Sequence, residues 1–205
     1  MELGFHKFPS GKQYVYIKPE DGCPIFLRNI LFLKNASNPS QIALVREWGA
    51  KTNNGTWEPP KGQMEWKEFA TDADVKPFSK VSPAVLRRHM KAGMMREMME
   101  EAKIFPSEIR DLKMLPFRYI QDWHVPGMRC AKFMYQYWEA KTSQTTLLEA
   151  QKRIDFILKD KDNTMMVPAD VKEKDAVRWW SPAAEGYGPI RGSFSKKMTV
   201  AYFKL

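Results

Sequence analysis

The sequence predicts an α/β fold in which a mixed β-sheet is flanked by helices. Three observations carry this. The chain up to Thr56 alternates short β-forming runs with turn clusters. A long run of Met, Glu, Ala and Lys follows, uninterrupted by proline after Pro83, as a helix requires. Beyond it, aromatic-rich β runs and a second helical stretch alternate.

In chain order, Gln13–Lys18 alternates and is rich in β-formers, and Pro19–Pro24 breaks it. Pro24–Leu33 is nearly continuous apolar, the pattern of a strand buried on both faces. Asn35–Ser40 is a turn cluster, and Gln41–Trp48 is the next strand, forming a hairpin with its predecessor. Ala50–Thr56 is a polar loop. Phe69–Val81 has turn and polar character, with Asp72, Asp74, Pro77 and Ser79. Ser82-Pro83 then fits an N-cap followed by Pro at the first helical position. The helix is expected to run from Pro83 to Lys103, with Leu86, Met90, Met94 and Met98 as its buried stripe. Leu115–Ile120 and Cys130–Ala140 read as strands around a turn that carries Trp123 and His124. Thr145–Asp160 is a helix ended by Lys159–Asn163. Val177–Trp180 is a strand, Ser181–Glu185 starts a short helix, Gly186–Gly192 is a loop, and Met198–Phe203 is expected to add a last strand.

Composition narrows the classes. With 205 residues, 43% of them hydrophobic, one sizeable core and one domain (1–205) are expected. No apolar run is long enough for a membrane helix, and Met1–Phe8 lacks the apolar stretch of a signal peptide. Cys23 and Cys130 are too few for a disulfide framework, so reduced thiols in an intracellular, cytoplasmic protein are expected. The net charge of +9 favours polyanionic partners, either nucleic acid or multiply phosphorylated small molecules. Lys76, Lys80, Arg87, Arg88, Lys91 and Arg96 form a basic run with no acid among them.

The stretch with chemistry in it runs from Trp57 to Ile104. On a helix, Glu97 shares a face with Glu100 and Glu101, three and four residues on. Crowded carboxylates of this kind suit hard cations such as Mg²⁺ or Mn²⁺, although an acidic helix face alone is more often merely solvated. Upstream, Pro60-Lys61-Gly62 is a turn signal with Glu65 and Glu68 behind it. Gly62, then Glu68 after five residues, then Arg96-Glu97-Met98-x-Glu100-Glu101 and Ile104, resembles the signature of the Nudix hydrolases. Two departures stand out. The gap between Glu68 and Arg96 is 27 residues where the signature has seven, and Lys103 occupies the position of the signature's last Gly. A longer surface loop costs little entropy.

The resemblance implies a Nudix-type α/β/α sandwich with an insertion at about 69–90 and an inserted helix at about 145–160. It implies that Glu97, Glu100 and Glu101 hold Mg²⁺ or Mn²⁺ and that one of them, or a later Glu, is the base. Glu173 occupies the place of that later Glu, with Asp175 and Glu139 next. Arg96 would pair with a signature Glu, supported by Glu68, and Lys61 and Gly62 would face phosphate. Arg46, Trp48 and Trp57 would lie in the substrate pocket, the tryptophans either stacking on a base or packing the core. His124, on a loop, is a weaker candidate for base or phosphate ligand. The expected activity is metal-dependent cleavage of a phosphoanhydride in a dinucleoside polyphosphate, a diphosphoinositol or a similar phosphorylated small molecule. The alternatives are decapping of capped RNA and a non-catalytic nucleotide- or RNA-binding module.

Overall fold

The apolar and alternating runs of the sequence become strands, and the intervening amphipathic runs become helices. A computed structural model describes residues 1–20, 22–73, 75–159 and 172–205. The strands are β1 (Glu2–Lys7), β2 (Gln13–Lys18), β3 (Ile25–Asn35), β4 (Ile42–Glu47), β5 (Trp57–Glu58), β6 (Lys61–Gln63), β7 (Ser79–Lys80), β8 (Arg110–Asp122), β9 (Lys132–Thr142) and β10 (Lys174–Trp180). The helices are α1 (Pro83–Glu97), α2 (Gln144–Lys159), α3 (Pro182–Glu185) and α4 (Ser193–Tyr202). The chain divides into two compact units, the first made of Met1–Ile30, Lys61–Met94 and Met114–Tyr137. The second is made of Leu31–Pro60, Met95–Lys113 and Trp138–Leu205.

In the first unit, β7, β1, β2 and β3 lie side by side and antiparallel. The short β6 adds to β3, setting Gly62 opposite Asn29. Asn29 is fully buried, and its amide donates to the Met90 carbonyl at 3.0 Å, tying α1 to the sheet. Gly93 faces the same region. A Cβ there would lie 2.6 Å from Met64 Sδ and 2.7 Å from Glu68 Oε2, so a side chain at this position would have to push the ends of Met64 and Glu68 aside. Ser82 caps α1 as expected, accepting from the Val85 N–H at 3.2 Å. Leu86, Met90 and Met94 are buried, as their fourfold spacing predicts.

In the second unit, β10, β4 and β5 form an antiparallel group, with Trp179 opposite Ala43 and Glu58 opposite Val45. Ile42, Ala43, Leu44 and Val45 are all fully buried. The α2 helix buries Leu147, Ala150 and Ile154, and Gln151 Oε1 accepts from the Val177 N–H at 2.8 Å. Phe32 stacks on Tyr202 of α4 with ring centroids 3.8 Å apart. The sheet is mixed. The β9 strand pairs with β3 and runs parallel to it, because Lys132 N–H bonds Pro24 O where both strands begin, and Ala36 N–H bonds Thr142 O where both end.

Two expectations change. The helix from Pro83 ends as an α-helix at Glu97, and Met98–Ala102 is a wider π-helical turn, so the register of its carboxylates is not that of a continuous α-helix. Met198–Phe203 is not a strand. It lies largely in α4, whose buried Ser195, Met198, Thr199 and Tyr202 recur at helical spacing. Glu2–Lys7 forms the first strand, with Leu3 fully buried. Asp74 and the Asp160–Asn163 part of the expected helix end lie outside the described residues.

Candidate active site

The second unit contains the π-helical turn and the acids it carries. Arg96 bonds the carboxylates of both neighbours on this segment, Glu97 at 2.5 Å and Glu100 one turn on. All three side chains are largely covered, Glu97 at 13% and Glu100 at 23% exposure. Burial pushes the Glu97 carboxyl up to about 8. Arg96 opposes that rise, while the nearby Glu101 and Glu100 carboxylates add to it. The turn ends at Lys103, whose φ of 55° and ψ of 32° are left-handed, and whose ammonium bonds the Glu100 carbonyl. This is the position where the signature has Gly, and the backbone takes the glycine conformation with Lys in place.

Glu101 faces a different partner. Its carboxylate lies 3.1 Å from Lys174 Nζ, and the same ammonium lies 2.8 Å from Glu58. All three are buried, with Glu58 at 1%, Lys174 at 4% and Glu101 at 5% exposure. Glu58 also accepts from Ser195 Oγ at 3.1 Å and from Arg191 at 3.5 Å. Burial alone would lower the Lys174 pKa, but Glu101 and Glu58 outweigh it and hold the ammonium charged well above the usual lysine range.

The β10 strand reveals which residue reaches this cluster. Successive strand residues point to opposite faces. Glu173, expected to approach the carboxylates, precedes the strand and is exposed, with its carbonyl accepting from Trp48 N–H. Lys174 reaches the cluster instead. Asp175 is engaged by Arg46 Nε at 2.7 Å and by Gly49 N–H at 3.1 Å. Glu139 is bonded by Tyr202 Oη at 2.6 Å and by Lys34 and Lys113, each at 2.9 Å.

The other candidates separate clearly. Trp48 is 61% exposed, whereas Trp57 is 4% exposed and packs against the Arg46 and Arg178 guanidiniums, 5.4 and 4.6 Å from its ring centre. Trp57 therefore adopts the packing alternative. His124 is exposed. Lys61, Gly62 and Glu68 belong to the first unit, where Lys61 and Gly62 form the β6 edge and Glu68 Oε1 accepts from the Glu65 N–H at 3.3 Å. Among the described residues, no three His, Cys, Asp or Glu side chains gather closely enough to hold a metal ion.

Two residues of the cluster escaped the sequence reading. Glu58 lay in plain sight between Trp57 and Pro59, an acid in a two-residue strand that is otherwise apolar and buried. Lys174 looked like one charge among the alternating Lys172-Glu173-Lys174-Asp175. Only the pairing of β10 with β4, and of β4 with β5, brings the two within bonding distance.

No family model matches the chain, and no curated protein matches it. Solved structures do. One is an Ap4A hydrolase binary complex from C. elegans, 14% identical, covering 88% of this chain and 97% of that one, with a TM-score of 0.40. Another is a Nudix hydrolase from Nitrosomonas europaea, 13% identical, covering 98% and 90%, with a TM-score of 0.44. A third is the Nudix domain of Shewanella oneidensis NrtR complexed with ADP ribose, 12% identical, covering 88% and 86%, with a TM-score of 0.44. At these TM-scores the functional reading rests on the chain's own residues. Two of these three solved structures are described as Nudix proteins.

Proposed function

We propose that the chain is a metal-dependent pyrophosphohydrolase of the Nudix type, cleaving a phosphoanhydride in an extended polyphosphate substrate. The observation that carries this reading is the crowding of Glu97, Glu100 and Glu101 on one turn, with Glu97 pushed up to about 8 by burial and by its acidic neighbours. The donor chemistry, carboxylate oxygens only, suits a hard divalent ion such as Mg²⁺ or Mn²⁺, which would have to draw Glu97, Glu100 and Glu101 from Arg96 and Lys174 to a common point, since among the described residues no three such side chains converge. When bound, that ion supplies neutralisation of phosphate charge and activation of water. The chain's part is to hold the three carboxylates. Arg96 orients Glu97 and Glu100, and the left-handed turn at Lys103 closes the segment. An exposed Trp48 is assigned to the base or another planar group.

An extended polyphosphate is preferred over a simple nucleoside triphosphate because the chain carries a net +9, and Lys76, Lys80, Arg87 and Lys91 are exposed. Capped RNA answers the same description. A panel of nucleoside triphosphates, dinucleoside polyphosphates, diphosphoinositols and capped RNA with Mg²⁺ or Mn²⁺ tests it. Activity on an extended polyphosphate that disappears with chelator supports the reading, and faster turnover of simple triphosphates overturns the preference. Affinity that rises with RNA length and falls steeply with salt assigns the site to RNA.

A second reading has its own observation. Glu97 and Glu100 are paired with Arg96, and Glu101 with Lys174, so each acid already has a protein cation. That arrangement fits a module that binds a nucleotide or RNA without cleaving it. Nucleotide binding with no turnover at any divalent ion concentration would select this reading.

A further inference from the structure

We propose that the segment between Phe69 and α1 carries a platform for single-stranded RNA, on which Phe78 stacks a base while Lys76 and Lys80 meet the phosphates on either side. The segment and the residues that support it belong to the first unit, whereas Glu97, Glu100 and Glu101 belong to the second. Phe78 is 56% exposed. Its φ of 56° is left-handed, a conformation that bulky side chains avoid. The turn is held in this shape from both ends. The Phe78 N–H donates to the Leu3 carbonyl at 2.8 Å, and Ser79 Oγ donates to the Lys76 carbonyl at 2.7 Å. The ring is also backed. Its centre lies 5.6 Å from that of Phe5, and Phe5 in turn lies 5.0 Å from Trp66. Phe78 thus rests on packed aromatic rings while more than half of its surface stays open. Backbone strain kept in place to present an apolar ring to water marks a site rather than a core.

The charges around the ring point to the ligand. Lys76 and Lys80 stand two residues to either side of Phe78, are exposed, and have no ion-pair partner among the described residues. Glu2 lies opposite Lys80 in the β1–β7 ladder without forming a pair with it. Asp72 is engaged by Arg88 and His89, and the sequence has no acid from Lys76 to Lys91. An open aromatic ring between two uncommitted cations is what a single strand of nucleic acid binds, its base on the ring and its phosphates on the ammonium groups. Among the polyanions considered above, RNA alone repeats a base with each phosphate. A compact polyphosphate would use the lysines and leave Phe78 idle, and a duplex keeps its bases stacked out of reach. The platform goes beyond the proposed hydrolysis and serves whether or not the acids cleave what is bound.

The test is fluorescence anisotropy of a labelled oligouridine, about 20 nucleotides long to exceed the reach of one platform, with the full chain in EDTA. Phe78→Ala is expected to weaken binding about tenfold and to leave the salt dependence unchanged, since stacking releases no counterion. Phe78→Trp is expected to bind at least as tightly as the wild type. Replacing Lys76 and Lys80 together by Ala is expected to lower the slope of log affinity against log salt by about 0.7 for each lysine. Wild-type affinity in Phe78→Ala, or a wild-type slope in the double lysine variant, overturns the proposal. Should the variants not fold, the wild type decides. An abasic strand of the same length is expected to bind about tenfold more weakly than oligouridine, and equal binding overturns the proposal. A deoxy strand bound more tightly than RNA reassigns the platform to DNA and overturns it too. If the chain cleaves a phosphoanhydride but binds oligouridine no better than the abasic strand, this proposal alone fails. If it binds as expected and cleaves nothing, the hydrolase reading alone fails.

Discussion

The second unit holds two groups of acids, and their cations differ in origin and in setting. Glu97 and Glu100 share Arg96, a neighbour on the same segment, at partial exposure. Glu58 and Glu101 share Lys174, which arrives from a strand far along the chain and is buried with them. In the first group the cation is a local neighbour, and the pairs keep some access to water. In the second, removing the cation strands two charges in a dry interior. One acidic neighbourhood thus has a partly exposed side and a buried side, and the seam between them is the step from Glu100 to Glu101.

The largest expected effect breaks the buried side. Lys174→Met should cost about 3–5 kcal/mol of stability in denaturant unfolding without metal, since a buried pair loses one partner. A melt that does not change would show the cluster to be no more than packing.

Next come the signature acids themselves. Glu100→Gln and Glu101→Gln should each lower turnover on the best substrate by about a hundredfold or more while the fold survives, since each swap keeps shape and removes charge. Full activity in both would remove the site assignment.

Glu139 provides an acid outside both groups for comparison. Burial would raise its pKa, but hydrogen bonds from Tyr202, Lys113 and Lys34 outweigh that and hold it at about 2. A carboxyl depressed below its unfolded value of about 4.5 contributes stability above that pH, and the contribution fades as pH falls through about 2. Glu139→Gln should therefore cost about 1.5–3 kcal/mol at neutral pH, the scale of hydrogen bonds to a charged group. The gap from wild type should close on acidification toward pH 2, and a gap independent of pH would contradict the ion-paired assignment.

The smallest effect concerns the turn that ends the segment. Lys103 holds a left-handed conformation that glycine adopts without penalty. Lys103→Gly should change stability by less than about 1 kcal/mol, the relieved strain offsetting the added freedom of the unfolded chain and the lost bond to the Glu100 carbonyl. Lys103→Val, β-branched at positive φ, should cost about 1–3 kcal/mol. Equal melting of both variants would show that the backbone there is not strained.

What the sequence determined by itself follows from local rules. The continuous apolar run of β3, the Ser82-Pro83 start of α1 and the spacing of Leu86, Met90 and Met94 all depend on near neighbours, and all appear where expected. Glu97, Glu100 and Glu101 are recognisable for the same reason, being neighbours on one segment. Tertiary structure decided the rest. That the last turn of the helix widens into a π-helix, that Met198 lies in a helix, and that Lys174 rather than Glu173 reaches the acids are not readable from spacing. Each depends on which face of an element is covered by a distant one. Glu58 and Lys174 become partners only through strand pairing across more than a hundred residues. A charge in an alternating run such as Lys172-Glu173-Lys174-Asp175 looks the same whether it faces water or a buried carboxylate, until the sheet assigns it a side.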